Sequence, residues 1–348
     1  MNKPVFHPGD YIEDIIEVQN ITQDEFAKRI GISGKEVSKL LNKKRNLNFN
    51  LASKLASAFG MSSEVWMNIQ AQYDTYIDTL KENDRLKEEK PYLDALDYSF
   101  FVREGVVEYD WSWKDKIKNL RHALKVSSLI NLEKKDLLTL NRIASSNDPK
   151  NTILARNAWA TVGFDKAMAI EAKAFDKQKL LSLLPHIKPL TKDSSLEVLS
   201  TLQDKLSECG IRFVFLSRLK NANVSGATKW LKDKSVILLV NDYRKYTDTF
   251  WFSFFHEIGH IIHDHGKNLH FTERKKPIEE EADCFAKDFL ISPQAFKTFI
   301  TKKDFSPSAI IALAEQESID PGIVVGRLQK EKHISYQTHN TLRQQFNE

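Results

Sequence analysis

The chain has 348 residues, of which 41% are hydrophobic and 28% charged, with a net charge of +4, as is typical of soluble globular proteins with two or three domains. Its apolar runs are too short to span a bilayer, and its N-terminal segment lacks the apolar core of a signal peptide. Only Cys209 and Cys284 are present, so a disulfide framework is excluded and a reducing, cytoplasmic location without membrane contact is expected.

The first part of the chain predicts a run of short helices, and the stretch TQDEFAKRIGISGKEVSKLL is its most informative piece. Thr22 with Glu25 matches a capping box, and Ser33 with Glu36 matches it again. The two helix starts are eleven residues apart, with a glycine between them. This spacing predicts a helix-turn-helix, in which the second helix enters the major groove of DNA.

The charge of this region supports the same interpretation. Residues 28–54 contain eight basic side chains against one acid, a local net charge of +7 that suits a phosphate backbone. A helical bundle with a solvated basic face is the alternative, and the paired caps together with the charge favour DNA binding. The residues expected at the DNA surface are Gln23, Ser33, Gly34, Lys35, Ser38, Lys39, Asn42 and Lys43.

The same region resembles the phage-repressor-like helix-turn-helix proteins. Residues 50–74 narrow the resemblance to the HigA-like antitoxin branch, in which a similar helix closes the domain, here with Trp66, Gln70, Tyr73 and Asp74. The resemblance covers about the first 75 residues. It implies binding to a double-stranded DNA operator as a homodimer, often with repression of the protein's own promoter, and a cognate toxin as a candidate partner.

The middle of the chain carries breaks but no catalytic pattern. A charged stretch closed by Pro91 predicts the end of a helix or a linker, and residues 93–178 have helical periodicity. Residues 145–151, SSNDPKN, predict a loop, and residues 185–190, PHIKPL, predict a second break. The aromatic residues of EYDWSWKDK, residues 108–116, are expected in the core rather than at a ligand site.

The pattern then changes from helices to short strands. Residues 211–216 (IRFVFL) and 235–240 (SVILLV) are rich in β-branched and aromatic residues and predict two strands, with residues 226–231 as a candidate third. A long helical pattern resumes near Asp248, and a further helix is expected over residues 279–290, EEEADCFAKDFL. The back of the chain is therefore expected to combine α and β structure.

The helix that follows the strands contains FFHEIGHIIHDH. His256 and His260 are one helical turn apart, so both imidazoles can bind one Zn²⁺. Glu257 lies beside the first ligand, where it can accept a proton from water at the metal. A pair of surface histidines is the alternative, but the helix is so apolar that it is expected to be buried, where unpaired His and Glu would be costly. Gly259 indicates close approach by another backbone.

This end of the chain resembles the ImmA/IrrE family of zinc metallopeptidases. The His-Glu-x-x-His helix is followed by Glu-Ala-Asp-x-Phe-Ala at residues 281–286, and the resemblance covers about residues 180–300. It implies that His256, His260 and Glu281 bind zinc and that Glu257 is the general base. Glu279 and Glu280 remain alternatives for the third ligand.

Several neighbouring side chains have no assigned catalytic role. His263 and His265 are expected around the metal site or at the surface, because the metzincin spacing would require a histidine at position 266, which is glycine. Tyr243, Arg244 and Tyr246 are candidates for stabilising an oxyanion, and nothing in the sequence chooses among them.

The expected fold is multidomain and mainly α. A helix-turn-helix domain over residues 1–78 and a helical connector over 79–180 precede an α+β, zincin-like metallopeptidase domain with a small sheet over 181–348. The expected function is a DNA-binding regulator whose zinc endopeptidase cleaves a repressor, an antitoxin-type protein or itself in a stress, phage or toxin–antitoxin response. The alternatives are a HigA-like autorepressor whose peptidase fold is a sensor or scaffold, and a domain held by structural zinc.

Overall fold

The structure is a computed structural model that describes residues 5–134, 149–241, 246–265 and 276–347. It is mostly helical, with one small sheet in the C-terminal part, which confirms the predicted fold class. The described chain forms two units, Met1–Glu88 and Glu89–Glu348. The three-part division expected from the sequence remains a prediction. None of the described helices is both long and apolar enough to cross a membrane.

Five helices begin in the first unit: α1 (Pro8–Val18), α2 (Gln23–Ile30), α3 (Gly34–Leu41), α4 (Phe49–Phe59) and α5 (Ser63–Ala95). Both predicted capping boxes are present, at the starts of α2 and α3, and each satisfies backbone N–H groups that the first helical turn leaves free. Gly31 ends α2 in the left-handed region at φ 63°, which a glycine adopts without strain. Phe26, Val37, Leu40 and Trp66 are fully buried in the shared core.

The fifth helix continues through Pro91, where the sequence predicted a helix end or a linker. A proline inside a helix removes one backbone hydrogen bond, so other contacts must hold this segment. Glu89 provides them, since its buried carboxylate accepts bonds from the Arg121 guanidinium at 2.6 Å and from Leu129 N at 2.9 Å. Tertiary contacts of Glu89, two residues before the proline, therefore help to stabilise a helix that local sequence rules would end at this point.

The second unit contains the remaining elements. The helices are α6 (Tyr98–Arg103), α7 (Trp113–Ala123), α8 (Lys150–Met168), α9 (Lys177–Ile187), α10 (Glu197–Glu208), α11 (Thr247–Ile262), α12 (Lys276–Leu290), α13 (Pro293–Lys302), α14 (Pro307–Glu317) and α15 (Pro321–Lys330). Short 3₁₀ turns occupy Leu129–Glu133, Lys188–Lys192 and Asn340–Leu342. The strands are β1 (Ile211–Leu216), β2 (Gly226–Trp230) and β3 (Val236–Asn241), so all three predicted strands are confirmed.

The sheet has the order β1-β3-β2, with β3 in the centre. β1 runs parallel to β3 with Ile211 opposite Val236, and β2 runs antiparallel to β3 with Gly226 opposite Val240. Every residue of β3 is buried, which explains its continuous apolar run. α11 packs on one face of the sheet, where the Phe213 and Phe254 rings are 5.8 Å apart. α8 contacts both β1 and β3.

The two breaks predicted in the connecting segments have different outcomes. α9 continues through Pro185 to Ile187 before the predicted break becomes a 3₁₀ turn. Most of the predicted loop at residues 145–151 lies outside the described residues, and α8 begins within it at Lys150.

The aromatic residues of residues 108–116 are not core residues as expected. The Trp111 side chain is 87% exposed and that of Tyr109 is 57% exposed, and their rings contact each other edge to face. Residues 108–112 precede α7 as irregular backbone, so no helical or strand periodicity directs their side chains inward, and Trp113 at the start of α7 is only partly buried. Aromatic content alone was a poor guide to burial here.

Candidate metal centre and nucleic-acid interface

The candidate nucleic-acid interface lies on α3 and its flanks. Lys35, Ser38 and Lys39 are exposed on α3, and Gln23 is exposed at the start of α2. Within the described residues, neither Lys35 nor Lys39 forms an ion pair, so both ammonium groups are available to phosphates. The structure therefore presents these four predicted contacts together at the surface.

The other predicted contacts also have structural roles. The Ser33 hydroxyl accepts the Glu36 N–H as the cap of α3, and the Asn42 amide donates to Ser38 O at 2.7 Å. Lys43 Nζ lies 3.0 Å from Asp10 Oδ1 in a partly exposed ion pair. Gly34 is partly buried at the first position of α3.

Some of the basic side chains in this region form contacts that stabilise the fold. Lys54 donates to Gly31 O at 2.9 Å, where it satisfies a carbonyl at the end of α2. Arg45 pairs with Glu36, and together with the Ser33 cap this contact lowers the pKa of the Glu36 carboxyl to about 2. The local charge of +7 thus overstates the charge that is free to meet DNA.

The candidate metal centre lies between α11 and α12. His256 Nε2 and His260 Nε2 are 3.1 Å apart, and the Glu279 carboxylate lies 3.3 Å from the first and 3.6 Å from the second. The ligand atoms of these three side chains all lie within 4.8 Å of one another. Two imidazoles and one carboxylate are the protein ligands of many catalytic zinc sites, so the donor set fits Zn²⁺.

The predicted third ligand, Glu281, is directed elsewhere. Its Oε2 lies 3.0 Å from His265 Nε2, and its side chain is 58% exposed. Each helical step turns about 100°, so Glu281 and Glu279 project about 200° apart, whereas Glu279 and Asp283 share a face. The structure therefore brings Glu279, and not Glu281, to the two histidines. The missed signal is spacing, because residues 279 and 283 repeat the i, i+4 step of residues 256 and 260.

Close packing of the two helices sets this register. A Cβ atom on Gly259 would lie 3.1 Å from Ala282 Cα and 3.2 Å from Phe285 Cδ1, so the glycine lets α12 approach, as the sequence indicated. Asp283 Oδ1 then reaches His256 Nδ1 at 2.8 Å. Burial lowers the pKa of His256, but hydrogen bonds with Asp283 and Glu279 outweigh it and raise the pKa to about 9.

Glu257 is buried on the side of α11 that faces the sheet. A Cβ atom on Gly226, at the start of β2, would lie 2.7 Å from Glu257 Cγ and 3.0 Å from its Oε1. The base predicted from sequence thus lies against an edge strand, next to the first histidine. Tyr246 is described at the start of α11, whereas Tyr243 and Arg244 lie outside the described residues.

A cavity of about 480 Å³ opens beside the site. His256, Glu279 and Asp283 line one part of it, and Phe252 and Lys330 line another. Lys330 Nζ lies 4.5 Å from the centre of the Phe252 ring, so a cation and an aromatic face border the same space. The arrangement combines a metal-binding donor set, a buried carboxylate and room for a substrate.

Two family models match this chain. Residues 12–66 match the helix-turn-helix family model, and residues 207–304 match the model of the IrrE N-terminal-like domain, peptidase family M78. The second match spans β1 to β3 and both helices of the candidate metal centre.

Individual relatives match short stretches of the chain. The uncharacterized HTH-type transcriptional regulator YddM of Escherichia coli K12 is 35% identical over 63 residues, 18% of this chain and 67% of that protein. YbaQ of the same strain, described in the same words, is 30% identical over 83 residues, 24% of this chain and 72% of that protein. A solved addiction module antidote protein of a HigA family from Coxiella burnetii is 27% identical, covering 25% of this chain and 96% of that protein, with a TM-score of 0.23. The chain therefore belongs to the helix-turn-helix family through its N-terminal region and carries an IrrE N-terminal-like domain of peptidase family M78 in its C-terminal region.

Proposed function

We propose that this protein is a DNA-binding transcriptional regulator with a zinc-dependent endopeptidase in the same chain. The observation that supports the peptidase is the convergence of His256, His260 and Glu279, two of which line a cavity, with the buried Glu257 next to His256 in the chain. In this proposal Glu279 replaces Glu281 as the third ligand. A domain held by structural zinc is less consistent with three protein ligands and an adjacent carboxylate, because structural sites usually have four protein ligands.

Zinc in such a donor set supplies Lewis acidity and lowers the pKa of water at the site. Glu257 accepts the proton of the attacking water on its carboxylate and later transfers it to the amine that leaves. Asp283 accepts the hydrogen on His256 Nδ1, which leaves Nε2 free to bind the metal. Burial of Glu257 and both histidines keeps bulk water away from these polar groups.

The substrate class follows from the union of both domains in one chain. A regulator that carries its own peptidase acts on a protein held near its operator, so the substrate is a repressor, an antitoxin-type protein or the chain itself. The reaction would release target genes during stress, phage infection or toxin–antitoxin signalling in the cytoplasm. Operator binding places Lys35 and Lys39 on the double-stranded DNA, with two copies of the chain on two half-sites.

The proposal is tested with the purified full-length chain, its Glu257→Gln variant and a proteome-derived peptide library. The wild-type protein should contain about one zinc per chain and cleave a subset of peptides, whereas the variant should retain zinc and cleave none. Zinc binding without cleavage by the wild-type protein would support the alternative, an autorepressor whose peptidase fold is a sensor or scaffold. A wild-type protein without zinc affinity would contradict the proposed site.

A further inference from the structure

The two histidines of the candidate metal centre are held by different partners. His256 Nδ1 lies 2.8 Å from the Asp283 carboxylate, whereas His260 Nδ1 lies 3.0 Å from Nδ1 of another imidazole, that of His265. His265 Nε2 in turn lies 3.0 Å from Glu281 Oε2. The contacts therefore form a continuous series from Glu281 through His265 to His260.

This series of contacts determines which ring nitrogens of His265 and His260 carry a hydrogen. An ionised carboxylate only accepts hydrogen bonds, so the contact with Glu281 requires a hydrogen on His265 Nε2. In the neutral imidazole, His265 Nδ1 is then an acceptor, and His260 Nδ1 must donate to it. The hydrogen of His260 is thereby held at Nδ1, and its Nε2 lone pair faces His256 and Glu279, where a metal ion would bind.

The end of α11 brings His265 to this place. His263 N donates to Gly259 O, and His265 N donates to His260 O at 2.9 Å across a turn in which Asp264 has a φ of 56°. These bonds and the left-handed residue resemble the Schellman motif that often ends helices. Trp230 Nε1 also donates to His265 O at 3.3 Å. His265 is thus returned towards His260 by the backbone as well as by its side chain.

We propose that His265 and Glu281 form a positioning pair that fixes the orientation and tautomer of His260 for metal binding. The inference rests on the proposed function, since it concerns the same metal centre. It gives Glu281 a role that needs no contact with the metal. It also predicts that Glu281 acts only through His265, a dependence that neither a direct ligand nor a surface residue would show.

The test measures Zn²⁺ affinity of the full-length protein by competition with a chromophoric chelator, and the absorption spectrum of the Co²⁺ form. His265→Ala should weaken binding about 10–100-fold, the usual effect of losing a group that orients a ligand. Glu281→Ala should weaken it by a smaller factor, and Glu281→Gln should recover part of the loss because its amide oxygen still accepts from His265. The matched controls are His263→Ala, in the same turn, and Glu280→Ala, beside Glu281; both should bind as the wild type does.

The double variant His265→Ala/Glu281→Ala decides the mechanism. If Glu281 acts through His265, the double variant should bind zinc as His265→Ala does. An undiminished further loss on adding Glu281→Ala would show that Glu281 acts independently, for example as a ligand, and would overturn the inference. Wild-type affinity in both single variants would overturn it equally. Failure of the wild-type protein to bind zinc would instead overturn the proposed function itself, and the inference with it. The Glu281 variants protect the test against misfolding, because this side chain is largely exposed.

Discussion

The two candidate sites are assembled in opposite ways. On α3 the proposed DNA contacts are exposed, lie within one short stretch and act mainly through charge. In the metal centre the groups are mostly buried, come from two helices and depend on how their ligand atoms are placed relative to one another. The first kind of site can be inferred from local sequence, since a helix cap and its neighbours determine it. The second depends on how one helix packs against another.

The largest effect expected from this contrast concerns Glu257, which is proposed to act as a general base and not as a metal ligand. Glu257→Gln should lower the rate of peptide cleavage by a factor of about a hundred to ten thousand, because the amide cannot accept the proton of water. Zinc content, measured by mass spectrometry, and operator affinity, measured by gel shift, should remain at wild-type values. Loss of zinc from this variant would show that Glu257 is a ligand rather than a base.

The next effect separates the acidic residues of α12. Glu279→Gln should weaken zinc binding more than the 10–100-fold typical of an orienting group, because it removes a direct ligand. Glu281→Gln should cost only a few-fold, because Glu281 contacts His265 and not the two histidines of the metal centre, and Glu280→Gln serves as the exposed control. A chelator competition across the three variants measures the order. The reverse order for residues 279 and 281 would restore the assignment made from the family resemblance.

Substitutions of the exposed lysines on α3 should weaken operator binding to similar extents. Lys35→Ala and Lys39→Ala should each weaken operator binding and flatten the dependence of log K on log salt concentration by about one unit per lost phosphate contact. Lys43→Ala should have less effect, since Lys43 is already paired with Asp10. Lys177→Ala, exposed on α9 in the second unit, is the control. Salt slopes from gel shifts that match the wild type for both α3 variants would exclude α3 as the DNA-contacting helix.

The smallest effect concerns stability away from both sites. Asp320 is buried at the start of α15, and burial raises the pKa of its carboxyl to about 6 despite its bond with Gly322 N. The folded protein therefore binds this proton more tightly than the unfolded chain, so ionisation destabilises the fold above pH 6 and the cost disappears as the pH falls below about 4. Asp320→Asn should raise the melting temperature at pH 8 and lose that advantage at pH 4. An equal difference between the variant and the wild type at both pH values would contradict the raised pKa.

Sequence reasoning succeeded where local rules decide the structure. Both capping boxes on α2 and α3 and the three strands follow from short-range patterns, and the structure contains them. It failed where distant contacts decide. Pro91 remains helical because Glu89 is held by Arg121 and Leu129, residues that are far along the chain.

The metal centre shows the same limit of prediction from sequence. His256 and His260 converge because they share a helix face, which the sequence shows directly. The choice among three consecutive glutamates depends on the rotation of α12 against α11, and that rotation is fixed by contacts such as Gly259 with Ala282. Residue type and spacing within one segment do not contain this information.

The bare backbone of Gly226 has a consequence for mutational tolerance. Glu257 Cγ occupies the space that a side chain at position 226 would need, at a separation that real Cβ atoms essentially never show. Even alanine there would have to push the carboxylate from its place against β2 or move the strand. Position 226 is thus expected to be among the least tolerant in the domain, although it carries no reactive group and lies thirty-one residues before the carboxylate it accommodates. A screen of random variants should find inactivating substitutions at Gly226 as readily as at Glu257.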